Sequence, residues 1–206
     1  MSVRIPAAGV ELEADLEVPP DAAAAVLFAH GSGSSRFSPR NRSVAAALRE
    51  AGFATVLADL LTAEEERTRD LRFAIDVLAV RVIALTDGLG AGGPVAALPL
   101  ALFGASTGAA AALVAAAARP AAVRAVISRG GRPDLAGAFL RLVTQPVLLV
   151  VGERDTEVLA MNRAAAENLA GDCDLVVVPG ATHLFEEPGT LEEVARIAAT
   201  WLRGHV

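Results

Sequence analysis

Residues 98–118 read LPLALFGASTGAAAALVAAAA, and the fold turns on this stretch. An apolar, strand-like run from Pro99 to Phe103 enters Gly104-Ala105-Ser106-Thr107-Gly108 and leaves as a helix of Ala, Leu and Val. A G-x-S-x-G match between a strand and a helix is a nucleophile elbow, a sharp turn that stands a serine hydroxyl clear of the backbone beside a base. Glycines two residues before and two after Ser106 let strand and helix approach where any Cβ would clash. Ser106 is the expected nucleophile.

Two plainer readings of the same stretch stand beside this one. No charged residue occurs from Ala91 to Ala118, a length that would satisfy a membrane-helix window. Gly92-Gly93-Pro94, Pro99, Gly104 and Gly108 interrupt it, however, and its alanine-heavy composition is weakly hydrophobic, so no membrane is expected. In the second reading Ser106 merely caps a buried helix, and the five-residue pattern alone does not separate the two.

The chain has 206 residues, 53% of them hydrophobic and 20% charged, which suits one globular domain over residues 1–206 with a sizeable core. A formal charge of −6 provides no basic stripe for a phosphate backbone, so nucleic acid is not an expected partner. All 18 basic residues are Arg; with no Lys there is no Schiff-base lysine and no P-loop lysine. Tyr is absent too, which removes it as acid, base or oxyanion donor. Cys173 is the only cysteine, excluding an internal disulfide and any CxxC motif, and Asp172 and Asp174 beside it would raise its pKa. No metal and no cofactor is expected. The first 20 residues carry early acids and no apolar core, so they do not read as a signal peptide, and a cytoplasmic protein is expected.

Along the chain, residues 2–18 read as two antiparallel strands and Ala24 to His30 as a central parallel strand, emptying into the loop His30-Gly31-Ser32-Gly33-Ser34-Ser35. A helix from Pro39 stops at Gly52, and Phe53 to Ala58 is the next strand. The spacing of Leu71, Ile75, Leu78, Val82 and Leu85 predicts the longest helix over Glu64 to Leu85, with Glu64-Glu65-Glu66 as its solvated first turn and Gly88 to Pro94 as a loop. Strands are expected at Val123 to Ser128, Val147 to Val151 and Leu175 to Val178, and helices at Pro133 to Val143, Glu157 to Leu169 and Leu191 to Leu202. This alternation predicts an α/β architecture, a mostly parallel sheet with an antiparallel N-terminal edge and helices on both faces. The site then lies at the carboxyl ends of the strands.

A serine nucleophile needs a base, and the base needs an orienting acceptor. Asp155 follows the strand ending in Gly152-Glu153-Arg154, and His183 follows the last strand in Val178-Pro179-Gly180-Ala181-Thr182-His183. Taken singly, Asp155 reads as a helix cap and His183 as a structural histidine. Together, Ser106, Asp155 and His183 each follow a parallel strand, in the chain order Ser, Asp, His that an elbow enzyme requires.

These motifs resemble the α/β-hydrolases, nearest to the small dienelactone-hydrolase-like branch, over nearly the whole chain. The chain departs from dienelactone hydrolases proper in carrying Ser106 where they carry Cys. The resemblance implies a serine hydrolase of a small carboxylic ester, thioester or lactone, with Ser106, His183 and Asp155 as catalytic triad. Spacing alone leaves Glu153 and Glu157 as rival acceptors; the family pattern favours Asp155. Expected oxyanion donors are the N–H groups of Thr107 and Ser32, with His30 shaping their loop rather than acting as base. Gly31-Ser32-Gly33 is not a dinucleotide loop, because Arg36 stands where the third glycine belongs. Rival functions are perhydrolysis by the same triad and a non-catalytic binding module.

Arg129 and Arg132 follow the strand after the elbow helix, where arginine can bind a substrate carboxylate or phosphate bidentately. Alternatively both are solvated or structurally paired, with Asp134 capping a helix. Only 18 residues lie between Ser128 and Val147, too few for a cap domain, so an open site for a small-molecule ester is expected.

Overall fold

Strands and helices alternate along residues 1–206, all of which the computed structural model describes. The N-terminal hairpin joins β1 (Ser2–Ala7) to β2 (Val10–Glu17). Its two-residue turn, Ala8-Gly9, has both residues at positive φ, the conformation that matches the twist of the flanking strands. Leu12, Ala14 and Leu16 of β2 point into the core, at the period of a strand with one face buried.

Six parallel strands follow: β3 (Ala25–Ala29), β4 (Ala54–Ala58), β5 (Leu100–Ala105), β6 (Val123–Arg129), β7 (Val147–Gly152) and β8 (Cys173–Val178). The sheet order is β1-β2-β4-β3-β5-β6-β7-β8, with β2 antiparallel to β4. Every residue of β3, β4, β5 and β7 is buried, which is why these strands read as unbroken apolar runs rather than alternating ones. The chain steps from β3 outward to β4 and returns to β5 on β3's other side. That reversal opens a crevice at the carboxyl ends of β3 and β5.

Helices cover both faces. On one side, Val44 and Leu48 of α1 (Pro39–Glu50) and Val194 and Leu202 of α5 (Thr190–Leu202) pack on Phe28 and Phe103. On the other, Val82 and Leu85 of α2 (Ile75–Ala91) and Leu113 of α3 (Thr107–Ala118) pack on Leu27 and Leu102. The remaining helix, α4 (Thr156–Ala166), lies along β7 and β8. Because α3 is buried from Thr107 to Leu113, it has no polar face, and its alanines let it lie close to the sheet. No helix is long and apolar enough to cross a membrane.

Three expected elements differ. The helix expected over Glu64 to Leu85 starts only at Ile75 and runs on to Ala91. Thr68 and Ala74 take extended ψ values of 106° and 87°, breaking residues 65–73 into two 3-10 turns. Glu65 therefore does not open a solvated first turn; its carboxylate caps the Thr62 N–H and pairs with Arg81 at 2.8 Å. Gly88, expected in a loop, lies inside α2, where a Cβ would come within 2.8 Å of Ile5 Cγ2. The segment Pro133–Leu142 is 3-10 and is kinked at Gly137, whose φ of 56° interrupts the ladder. It is all that stands between β6 and β7, so no separate cap domain covers the sheet edge.

Candidate active site

Ser106 sits between β5 and α3 with φ 52° and ψ −123°, a conformation that crowds a Cβ-bearing residue. The surrounding backbone holds it there. Its N–H donates to the Arg129 carbonyl at 3.3 Å, and its carbonyl accepts from Ala109 N–H at 3.1 Å and Arg132 N–H at 3.0 Å. The flanking glycines are steric necessities. A Cβ on Gly104 would lie 2.3 Å from Ala109 Cα, and one on Gly108 would lie 2.2 Å from the Ala29 carbonyl oxygen. The G-x-S-x-G spacing thus reports how closely α3 approaches β5 and β3.

Asp155 follows β7 at the head of α4, where an aspartate normally caps its own helix. Its side chain makes no such bond and instead meets His183 Nδ1 at 2.6 Å. An ionised carboxylate only accepts, so Nδ1 carries the proton and Nε2 is left with its lone pair. The Asp155 side chain is 14% exposed and that of His183 38%, which shields the acceptor and opens the imidazole. The loop carrying His183 is tied down nearby. Thr182 N–H donates to Glu187 Oε2 at 3.0 Å, and this bond draws the Glu187 carboxyl below its ordinary range. Of the rival acceptors, Glu153 takes the Gly180 N–H at 2.8 Å, and Glu157 lies exposed in the first turn of α4.

Ser106 and His183 line one cavity of about 250 Å³ at the carboxyl edge of the sheet, without a direct hydrogen bond between them. Such bonds are commonly long before substrate arrives. Ser32 lines it as well, but its N–H, expected to be free, donates to Thr107 Oγ1 at 2.8 Å. The Thr107 N–H opens α3 and has no intrahelical acceptor. Both nitrogens of His30 are occupied: Nε2 accepts from Leu60 N–H at 3.0 Å, so Nδ1 is the protonated nitrogen and donates to the Gly31 carbonyl at 2.9 Å. Burial pushes the His30 pKa down, keeping the ring neutral.

The two arginines separate. Arg129 lines the cavity, buried at the end of β6. Arg132 does not line it, because Asp134 two residues on takes its guanidinium bidentately at 2.8 and 2.7 Å. Asp134 is thereby the partner of Arg132 rather than a helix cap. The sequence reading missed Arg40 and Asn41, which reach the same cavity from the first turn of α1. The available signal was Ser38-Pro39, a helix start just beyond the loop that follows β3. Cys173 is pushed up to about 11 by burial and the neighbouring Asp174, which suppresses thiolate chemistry. No three His, Cys, Asp or Glu side chains are grouped so as to hold a metal ion.

Comparison with known proteins agrees with this architecture. A family model described as an alpha/beta hydrolase domain matches residues 22–197. A dienelactone hydrolase from Anabaena variabilis, known from its crystal structure, superposes with a TM-score of 0.98 at 52% identity, over 100% of this chain and 97% of that one. A Mycobacterium tuberculosis protein named as a phosphoribosyl transferase is 56% identical over 204 residues, which are 99% of this chain and 46% of that protein. This chain therefore spans about half the length of that curated relative. Est1E from Butyrivibrio proteoclasticus shares the fold, with a TM-score of 0.81 at 20% identity over 98% of each chain. With the match covering most of its length and the sheet and elbow in place, this chain belongs to the α/β-hydrolase family.

Proposed function

We propose that the chain is a serine hydrolase cleaving a small carboxylic ester, thioester or lactone through a Ser106–His183–Asp155 triad. One observation carries the reading. A serine held at positive φ between β5 and α3 shares a cavity with a histidine whose Nδ1 is bonded to a shielded aspartate at 2.6 Å. A structural histidine has no need of that company.

In this mechanism Ser106 Oγ attacks the carbonyl carbon while His183 Nε2 takes the hydroxyl proton. The tetrahedral intermediate collapses, and the alcohol or thiol leaves with that proton. Water then attacks the acyl-enzyme, giving its proton to His183, and the acid departs as Ser106 is restored. Asp155 holds the tautomer and stabilises the imidazolium. The oxyanion takes the Thr107 N–H and the positive end of α3, together with the Ser32 N–H once the Thr107 hydroxyl yields it; one such donor is typically worth about 3 kcal/mol. The similarity to a dienelactone hydrolase at 52% identity supports hydrolysis, and Ser106 in the elbow favours ester substrates generally. The transferase name of the Mycobacterium tuberculosis protein we assign to the half of that chain outside the match. The absence of a cap over the elbow supports short or exposed esters as substrates, and the same triad could equally pass the acyl group to peroxide.

The test is labelling with a fluorophosphonate, read by intact and peptide mass spectrometry beside a Ser106→Ala control. A single adduct on Ser106, absent from the variant, is expected. No adduct on folded protein would overturn the reading in favour of a binding module.

A further inference from the structure

Arg129 is a buried cation without an anion. It is 8% exposed, and the only hydrogen bond of its side chain runs from Nη2 to Asn41 Oδ1 at 3.2 Å. Its Nε and Nη1 have no acceptor, and no carboxylate pairs with it. The charged group that acts on it is a second cation, Arg40, and burial together with Arg40 pushes the Arg129 guanidinium down to about 10. Arg40 is itself only partly neutralised. Its Nη1 reaches the exposed Glu186 at 3.3 Å, and its Nε is buried without a partner. No Asp or Glu lines the cavity that these arginines share with Ser106 and His183.

The energetics make this arrangement expensive as structure. An unpaired buried charge costs several kcal/mol, and an apolar side chain of similar volume at the end of β6 would be cheaper. Arg132 shows what this chain does with a structural arginine, engaging it bidentately with Asp134. Nε and Nη1 lie on opposite sides of the guanidinium, so a bidentate grip on the planar oxygens of a carboxylate or phosphate pairs one of them with the second N–H of Nη2.

We propose that Arg129 and Arg40 form an anion subsite beside Ser106, so that the carbonyl compound hydrolysed there carries a carboxylate or phosphate group. This rests on the hydrolase reading above. Asn41 orients the Arg129 fork by holding Nη2. The anion replaces the water that the two guanidiniums would otherwise require and sets which end of the substrate faces Ser106.

The test compares p-nitrophenyl pentanoate with the p-nitrophenyl half-ester of glutarate and with p-nitrophenyl 4-phosphonobutanoate. The wild-type kcat/KM should favour an anionic ester, and the better of the two identifies the anion. Arg129→Met should lower the anionic-to-neutral ratio by about 10- to 100-fold, the worth of a hydrogen bond to a charged group, and the more exposed Arg40→Met by less. Arg132→Gln should leave the ratio unchanged. Arg129→Met should also raise Tm, since it removes an unpaired buried charge. An unchanged ratio in folded variants, with the neutral ester still hydrolysed, overturns the subsite and leaves the hydrolase reading intact. If no ester turns over and fluorophosphonate does not label Ser106, the hydrolase reading fails and calorimetric titration with succinate and inorganic phosphate decides the subsite. Binding by wild type that weakens about tenfold or more in Arg129→Met upholds it, and no binding of either anion overturns it.

Discussion

Replacing Ser106 by Gly should leave a more stable protein than replacing it by Ala. Both changes delete the hydroxyl, which forms no hydrogen bond within the protein, so the comparison isolates the backbone. At φ 52° and ψ −123° a residue with a Cβ stores about 1–3 kcal/mol of strain, which Ala retains and Gly releases. Gly gives back about 0.5–1 kcal/mol through the greater freedom of its unfolded chain. The net advantage of Gly is about 1 kcal/mol, or roughly 2–4 °C in Tm for a chain of this size. Scanning calorimetry of the two variants, with urea unfolding to check that m is unchanged, measures the difference directly. An Ala variant as stable as the Gly variant, or more so, would refute the claim that the elbow stores strain. Both variants should be inactive, so a gain in stability on losing the proposed nucleophile would place the strain at the proposed site.

Asp155→Asn should lower turnover by about 10⁴-fold with the fold intact, because an amide at that position no longer selects the Nδ1–H tautomer. Glu153→Gln, whose carboxylate serves Gly180, should cost only a few-fold; the opposite ranking in steady-state assays would reassign the acceptor. His30 has a lowered pKa in the folded protein, so the unfolded chain binds the extra proton first. Its contribution is therefore fully present above the unfolded value of about 6.5 and is lost as pH falls, at up to about 1.4 kcal/mol per pH unit. Urea titrations between about pH 5 and 8 should show that slope in the wild type and a shallower one in His30→Gln; parallel profiles would remove His30 from the acid response. Gly108→Ala should destabilise by about 3 kcal/mol or more, since its Cβ would sit 2.2 Å from the Ala29 carbonyl oxygen. Gly90→Ala meets nothing within 4 Å in α2 and should stabilise by up to about 1 kcal/mol; equal effects on Tm would contradict the packing described here.

Much of the architecture was legible because burial imposes a pattern. Strands covered on both faces must be apolar throughout, and VLFA, TVLA, LALF and VLLVV each declared one. Where the reading failed, long-range packing outweighed local signals. Glycines at 88 and 90 suggested a loop, yet α2 continues through them because β1 presses against the helix at Ile5. Glu64-Glu65-Glu66 suggested a helix start, yet Arg81 and Thr62 claim Glu65 for a 3-10 turn.

The site divides in the same way. Chain order and strand ends singled out Ser106, His183 and an acceptor among Glu153, Asp155 and Glu157, because a parallel sheet delivers every strand's carboxyl end to one edge. Which carboxylate meets His183, which arginine is left unpaired and whether the Ser32 N–H is free are matters of a few ångströms between segments far apart in sequence. Glu153 and Asp155 are two residues apart, as nearly are Arg129 and Arg132, and composition treats each pair alike. Only the tertiary structure separates them, since Gly180 and Asp134 take one member of each pair and leave the other facing the cavity side of the sheet.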